Sequence, residues 1–276
     1  MVRVGGGTFQ FGQELGTAGS GNVNPVSTVT LTGFYIGRYP VTQGEFYEVM
    51  GFNPSSFTTS RGRPPAAGET DALRPVEWVN WYEAIVFSNR LSILRGLSPA
   101  YELPNQWPNP ATWSTDPDTW GAVPTTNNAR WNAVRIVPGS AGYRLPTEAQ
   151  WEFAAKGGPL GGAYTFAGSN DINAVAWHAG NSGNRTREVG LLQANRLGIH
   201  DMSGNVREWV WDRHNGRPAA GTSATDPSGA SSESARVRRG GSRLLSASAL
   251  RSIDRASNSP ADRFGAVFGF RVARPL

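Results

Sequence analysis

The sequence predicts a mixed α and β fold with much irregular structure. Segments of alternating apolar and polar character stand at both ends of the chain and read as strands. Three capping boxes, Thr42-Gln43-Gly44-Glu45, Asn80-Trp81-Tyr82-Glu83 and Thr147-Glu148-Ala149-Gln150, each open a helical stretch. Gly 34 and Pro 19 punctuate the rest and place many turns between these elements.

Taken in order, Val2 to Gly12 and Val26 to Tyr35 read as strands on either side of a Gly-rich turn at Gly16 to Gly21. Thr42 then opens a helix with Phe46, Val49 and Met50 as its apolar face. Phe52 to Arg74 is a loop rich in Pro, Ser and Gly. From Asn80, the residues Ala84, Ile85, Phe87, Leu91 and Leu94 recur at helical spacing, and Gly96 is the stop signal. Ser98 to Gly139 reads as an elaborated loop with one short strand, Arg130 to Val137. The helix opened by Thr147 runs to Lys156 and ends on Gly157-Gly158. Asp212 to Ser234 reads as a surface loop. Arg236 to Ser242 and Phe268 to Arg274 alternate again, so the chain closes on two strands joined by a long connection. Trp78, Trp81, Trp151 and Trp209 fall on helix or strand flanks and are expected in the core.

Composition excludes several functions. Cys is zero, which removes disulfides, thiolate nucleophiles and Cys-metal sites together. The net charge is +5, but the arginines are spread singly rather than in a nucleic-acid stripe, and of the 26 basic residues only Lys156 is a lysine. Arginine in this pattern suits bidentate pairing with carboxylates inside the fold. His178, His200 and His214 include no i, i+4 pair, so no zinc site is signalled. No apolar run approaches the ~18 residues of a membrane span, and the N-terminal MVRVGGGTFQFG has neither a signal-peptide core nor a lipid-attachment cysteine.

The closing connection is the unusual stretch. Arg243 to Val267 has no clean period of two or of 3.6, and a long irregular segment that is ordered usually carries function. From Arg243 to Phe268 there is no Lys, Glu, Gln, Met or Trp. Every residue type present can be reached from the Asn codon AAC by changing only its adenines, and the five absent types cannot.

GGTFQFG, FYIGRYPVTQGEF, RPVEWVNWYEAIVFSNRL, YRLPTEAQWEFAAKGG, GNVREW, RVRRGGS and GFRVAR follow one another along the chain. In this order they resemble the formylglycine-generating enzyme (sulfatase-modifying factor) family. The resemblance implies an α+β fold of the C-type lectin type spanning residues 1–276 as one domain. Those enzymes oxidise a sulfatase cysteine with two active-site cysteines that bind copper. Their positions fall here on Leu245 and Leu250, which offer neither thiolate nor metal affinity. An aromatic residue usual in the GN-V-x-EW motif is Arg207 here. The segment between GGS and GFR, with the insert WGAVPTTNNARWNAV, is similar instead to the variable proteins of diversity-generating retroelements, of the treponemal variable lipoprotein type. In that group this segment is rewritten by adenine-specific mutagenesis and displayed as a ligand-binding surface.

The resemblance also implies a calcium loop at Asp201, Gly204, Val206 and Glu208. Two hard carboxylates around free turn carbonyls suit Ca²⁺; the alternative is that Asp201 caps the turn and Glu208 pairs with a buried arginine. A second family site is not expected, because Val175 stands where the family has a ligating Asn. Structural calcium is the one candidate cofactor, and none is required.

The expectation is therefore a non-enzymatic display protein, monomeric, exported to the cell surface as a lipoprotein by a targeting segment outside this chain. Its partner is an unidentified protein or surface ligand, not nucleic acid. The contact residues expected are Leu244, Leu245, Ser246, Ser248, Ile253, Asp254, Ala256, Ser257, Asn258, Ser259, Asp262, Phe264, Gly265, Val267 and Phe268. For Leu244, Leu250 and Phe268 the alternative is that they point into the core. The rival functions are a divergent enzyme on the same scaffold and a regulatory domain without a variable ligand.

Overall fold

All three capping boxes form. In the computed structural model, which describes residues 1–13, 15, 26–105, 111–230, 232 and 235–276, Thr42 Oγ1 accepts from Glu45 N at 3.2 Å. Glu45 Oε2 accepts from Thr42 N at 2.9 Å in return, opening the Gln43–Met50 helix. Asn80 with Glu83 and Thr147 with Gln150 do the same for the helices Trp81–Leu94 and Glu148–Ala155. Each box satisfies amides that a helix start leaves without an intrahelical partner. The Gly-rich turn expected at Gly16 to Gly21 lies outside the described residues.

The two ends of the described chain meet. Val2–Val4 and Ala273–Pro275 flank Phe34–Ile36 in one antiparallel sheet. A second sheet places Ser27–Leu31 between Gly7–Phe11 and Ser223–Thr225. The four-stranded sheet that carries the site runs in the order Arg255–Asn258, Arg236–Arg239, Arg207–Arg213, Phe268–Phe270. Its last pairing is parallel and the others antiparallel.

The strand Arg207–Arg213 divides two apolar cores. Trp209 and Trp211 face one, with Trp81, Phe87, Phe268 and Phe270; Val210 faces the other, with Val4, Phe34, Trp151 and Val237. Trp209 Nε1 donates to Val79 O at 3.0 Å and Trp81 Nε1 to Val210 O at 2.9 Å, so these buried indoles keep their hydrogen bonds. The next strand shows why the chain is rich in arginine. Arg236 lies over the Trp81 ring at 3.8 Å and Arg238 over Phe268 at 4.1 Å. Arg239, on the opposite face, pairs with Glu148 at 3.1 Å and Glu152 at 2.7 Å.

Several expectations change. Arg130 to Val137 is not one strand: Asn128 caps a helical turn, Ala129–Asn132, and only Arg135–Ile136 is extended. The presumed loop around it holds a small sheet in which Tyr101–Pro104 lies between Trp113–Ser114 and Arg135–Ile136. Trp78 is not core. It is 40% exposed with φ +63°, while its neighbours Glu77 and Val79 are fully buried. The closing connection contains a strand, Arg255–Asn258, and two 3-10 turns, Ala247–Leu250 and Phe264–Ala266. Among the described residues no helix is long and apolar enough to cross a membrane.

Candidate functional site

The segment that follows Gly240-Gly241-Ser242 leaves the sheet through two glycines in the left-handed region, φ +86° and +68°. A Cβ on Gly241 would meet Ala249 O at 2.4 Å, so only glycine lets the segment fold back this closely. The segment then forms the edge strand Arg255–Asn258 and crosses to enter the opposite edge at Phe268. Gly269 there packs on the scaffold, where a Cβ would meet Val76 O at 2.5 Å.

Three arginines inside the segment tie it down. Arg243, at its start, reaches its end: Nη2 donates to Ala266 O at 3.4 Å, while Nη1 donates to Asn184 Oδ1 at 3.1 Å. Its guanidinium also lies over the Phe57 ring at 4.3 Å. Arg255 forks onto Glu148, and Arg263 Nη2 donates to Glu83 Oε1 at 2.8 Å. These residues have no place among the contacts expected from sequence. The sequence signal for them is general: a cationic set made almost wholly of arginine suits carboxylate pairing, without saying which arginine meets which acid.

Against this frame the expected contacts divide. Leu244 is 46% exposed and Phe264 74%, and Ser246, Ser248 and Gly265 are exposed with them. Asp254, Ala256, Ser257, Asn258, Ser259 and Asp262 are half-buried along the edge strand and the turn after it. Asn258 Oδ1 accepts from Arg238 Nη2, and Asn258 Nδ2 donates to Asp262 Oδ2 at 2.5 Å. Burial raises the Asp254 carboxyl, with Arg207, Arg239 and Arg251 pulling the other way. Ile253, Val267 and Phe268 are buried, which removes them from the contact surface. Phe268 meets Trp209 edge to face at 5.2 Å, so it belongs to the core through its ring contacts. Leu245 is half-buried against the cluster of Phe166, Val175, Ala176 and Leu250. Leucine thus fills both positions where the resemblance places the enzymes' thiols, and Leu250 is fully enclosed.

The residues of the expected calcium loop are held by protein partners. Arg271 Nε donates to Glu208 Oε2 at 2.6 Å and Nη2 to Oε1 at 2.7 Å, and Trp151 Nε1 donates to Oε2 at 2.7 Å. Asp201 Oδ2 accepts from Gly190 N at 2.8 Å, and burial raises its carboxyl. Gly204 turns its N–H to Gly240 O, and Val206 is buried in the turn. Both carboxylates thus accept from protein donors, the arrangement of the alternative in which Glu208 pairs with a buried arginine.

The family description "Sulfatase-modifying factor enzyme 1-like domain" matches residues 1–276. The chain belongs to the sulfatase-modifying factor family. Its fold is the formylglycine-generating-enzyme type of C-type lectin fold. It is similar to the solved structure of Treponema denticola variable protein 1, with TM-score 0.88 and 38% identity over 100% of this chain and 95% of that one. It is similar to the formylglycine-generating enzyme of Thermomonospora curvata, 31% identical over 303 residues that cover 99% of this chain and 92% of the enzyme. It is also 42% identical over 203 residues to the chaperone protein LppX of Paenibacillus barcinonensis, covering 67% of this chain and 64% of LppX.

Proposed function

We propose that this sulfatase-modifying factor family member is a non-catalytic display protein whose segment Arg243 to Phe268 binds varied ligands. The observation that carries this reading is the division of the segment: fixed arginines and buried apolar residues hold it, while Leu244, Ser246, Ser248, Phe264 and Gly265 are exposed. Large apolar side chains left in water contribute most when a partner covers them, at about 25 cal/mol per Å². The full-length likeness to a variable protein supports it, as does the codon pattern of the segment. In this reading the protein acts as a monomer, displayed at the cell surface as a lipoprotein.

The enzymes among its relatives favour a second reading, catalysis on this scaffold. With Cys zero and leucine at both thiol positions, no nucleophile stands in the place the enzymes use. The deciding experiment is sequencing the DNA beside the gene. A near-copy of the segment's coding sequence, differing at adenines and accompanied by a reverse transcriptase, is the expected result. A sulfatase peptide converted to its aldehyde by the purified protein would establish the enzyme reading instead.

A further inference from the structure

Trp78 is unusual in two ways. Its side chain is 40% exposed, and its φ of +63° lies in the left-handed region, which is strained for a bulky residue. The scaffold imposes both. On one side Glu77 is fixed: its N–H donates to Ser55 Oγ at 3.2 Å, and its Oε1 accepts from Phe57 N at 2.7 Å. On the other side Val79 N donates to Phe268 O at 3.4 Å, and Val79 O accepts from the Trp209 indole. Glu77 and Val79 are fully buried, and the left-handed residue between them carries its ring into solvent.

The same fixed points place Trp78 beside the Arg243 to Phe268 segment. Val79 is bound to Phe268, the segment's last residue. Phe57, bound to Glu77, lies under the guanidinium of Arg243, the segment's first residue, at 4.3 Å. Arg243 in turn donates to Ala266 O. Trp78 therefore stands between the contacts that hold the two ends of the segment. The exposed apolar residues of the segment are near those ends: Leu244 follows Arg243 directly, and Phe264 opens the turn before Phe268. The segment itself contains no Trp, and Trp cannot be reached from AAC by changing its adenines. Tryptophan is enriched among the side chains that dominate protein interfaces. A scaffold tryptophan gives the surface a residue type that the segment's codon pattern withholds.

We propose that Trp78 is a constant contact of the display surface, its ring meeting an apolar side chain of a protein partner whatever residues the segment carries. This rests on the display reading given above. A backbone fixed on both sides holds the ring ready, so little conformational freedom is lost when a partner covers it. Leu244 and Phe264 add exposed apolar area of the kind found at the centre of protein interfaces, which argues for a protein as the partner.

The test pans a phage-displayed random peptide library on the full chain and on a variant with Leu244, Ser246, Asp254, Ser257 and Phe264 all replaced. Each enriched peptide is synthesised and titrated against the protein that selected it, with and without Trp78→Ala. Peptides selected on the wild type are also titrated against Phe264→Ala. The two proteins should select different peptides, and both sets should lose about tenfold or more in affinity on Trp78→Ala, as for an interface anchor. The Trp78 indole Nε1–H resonance should shift on binding. Peptides indifferent to Trp78→Ala would overturn the proposal; if they still respond to Phe264→Ala, the display reading stands. The same peptides from both proteins, or none from either, would overturn both. Trp78→Gly and Trp78→Ala lose the same ring, but glycine accepts the left-handed backbone, so Trp78→Gly should melt at the higher temperature. An alanine variant that melts as high would show that the backbone is not held left-handed, and the proposal would fall. Should Trp78→Ala not fold, Trp78→Gly takes its place in the titrations.

Discussion

Arg255 closes a two-pronged ion pair on Glu148: Nε donates to Oε1 at 2.9 Å and Nη2 to Oε2 at 2.9 Å. Glu148 lies in the first turn of a capped helix of the scaffold and also receives Arg217 and Arg239. The contact therefore fastens the edge strand of the exposed segment to the rigid body. Arg255→Ala should lower stability by about 1–3 kcal/mol, the range for charge-assisted hydrogen bonds to a buried group that keeps other partners. Arg255→Lys preserves the charge but not the fork and should recover less than half of that loss. Thermal melts of the two variants check this. A lysine variant as stable as the wild type would show that charge alone, not the fork, holds the strand.

The exposed positions should behave oppositely. Leu244, Ser246 and Phe264 are exposed, and Asp254 and Ser257 are half-buried. Replacing all five by other types reachable from AAC should move the melting temperature by only a few degrees, on the order of 1 kcal/mol. Trp209→Ala, which empties a core site and orphans Val79 O, should cost about 3–5 kcal/mol and prevent folding. Ile253→Asn, inside the same segment but buried, should resemble Trp209→Ala more than the surface set. Collapse of the five-fold variant would make the segment core and end the display reading.

Why some of this was legible in the sequence and some was not follows from the range of the forces involved. The capping boxes depend on residues three apart, so Thr42, Asn80 and Thr147 could be located from the chain alone. The family motifs carried the overall fold. Trp78 failed because its exposure is set by a left-handed backbone and by Phe268 O taking the Val79 N–H, a contact remote in sequence. Ile253 and Val267 failed for a related reason: in a segment without periodicity, nothing local says which apolar residue turns inward; for Phe268, on a strand flank, the core alternative is the one the structure takes. The arginine anchors were missed because Arg255 and Glu148, or Arg263 and Glu83, become neighbours only once the sheet is assembled.

Acid should loosen the same network. Burial alone would raise the Glu152 carboxyl, but Lys156, Arg239 and Arg217 hold it down to about 2. Glu148 is also lowered, by Arg217, Arg239 and Arg255 acting against its burial. A carboxylate depressed on folding stabilises the native state above its unfolded pKa, near 4.3 for Glu, and loses that contribution as pH falls through the folded value. Stability should therefore decline from about pH 4 toward pH 2. Glu152→Gln should be less stable than the wild type at pH 7, with a shallower acid limb. Denaturant melts across this range measure the slope, and parallel curves for the two proteins would exclude Glu152 as its source.

The last prediction concerns Glu208, which receives the Arg271 fork and the Trp151 indole in a fully buried setting. Glu208→Ala leaves the Arg271 guanidinium enclosed with only carbonyl partners: Gly37 O at 3.0 Å and His200 O at 3.0 Å. Breaking one side of a buried pair costs about 3–5 kcal/mol, chiefly through the charge left behind. A metal that bound only the folded state would add stability in calcium and none in chelator. With both oxygens of Glu208 committed to Arg271, the loss in Glu208→Ala should be the same in either buffer. Arg271→Met should be destabilising to a similar degree, because it strands the carboxylate instead. The double variant Glu208→Gln with Arg271→Met removes both charges and should recover part of the loss, which is the signature of a pair rather than of two independent contacts. Melts in calcium and in chelator decide the matter, and a wild-type protein stabilised by calcium, with Glu208→Ala indifferent to it, would return this carboxylate to the role of a metal ligand.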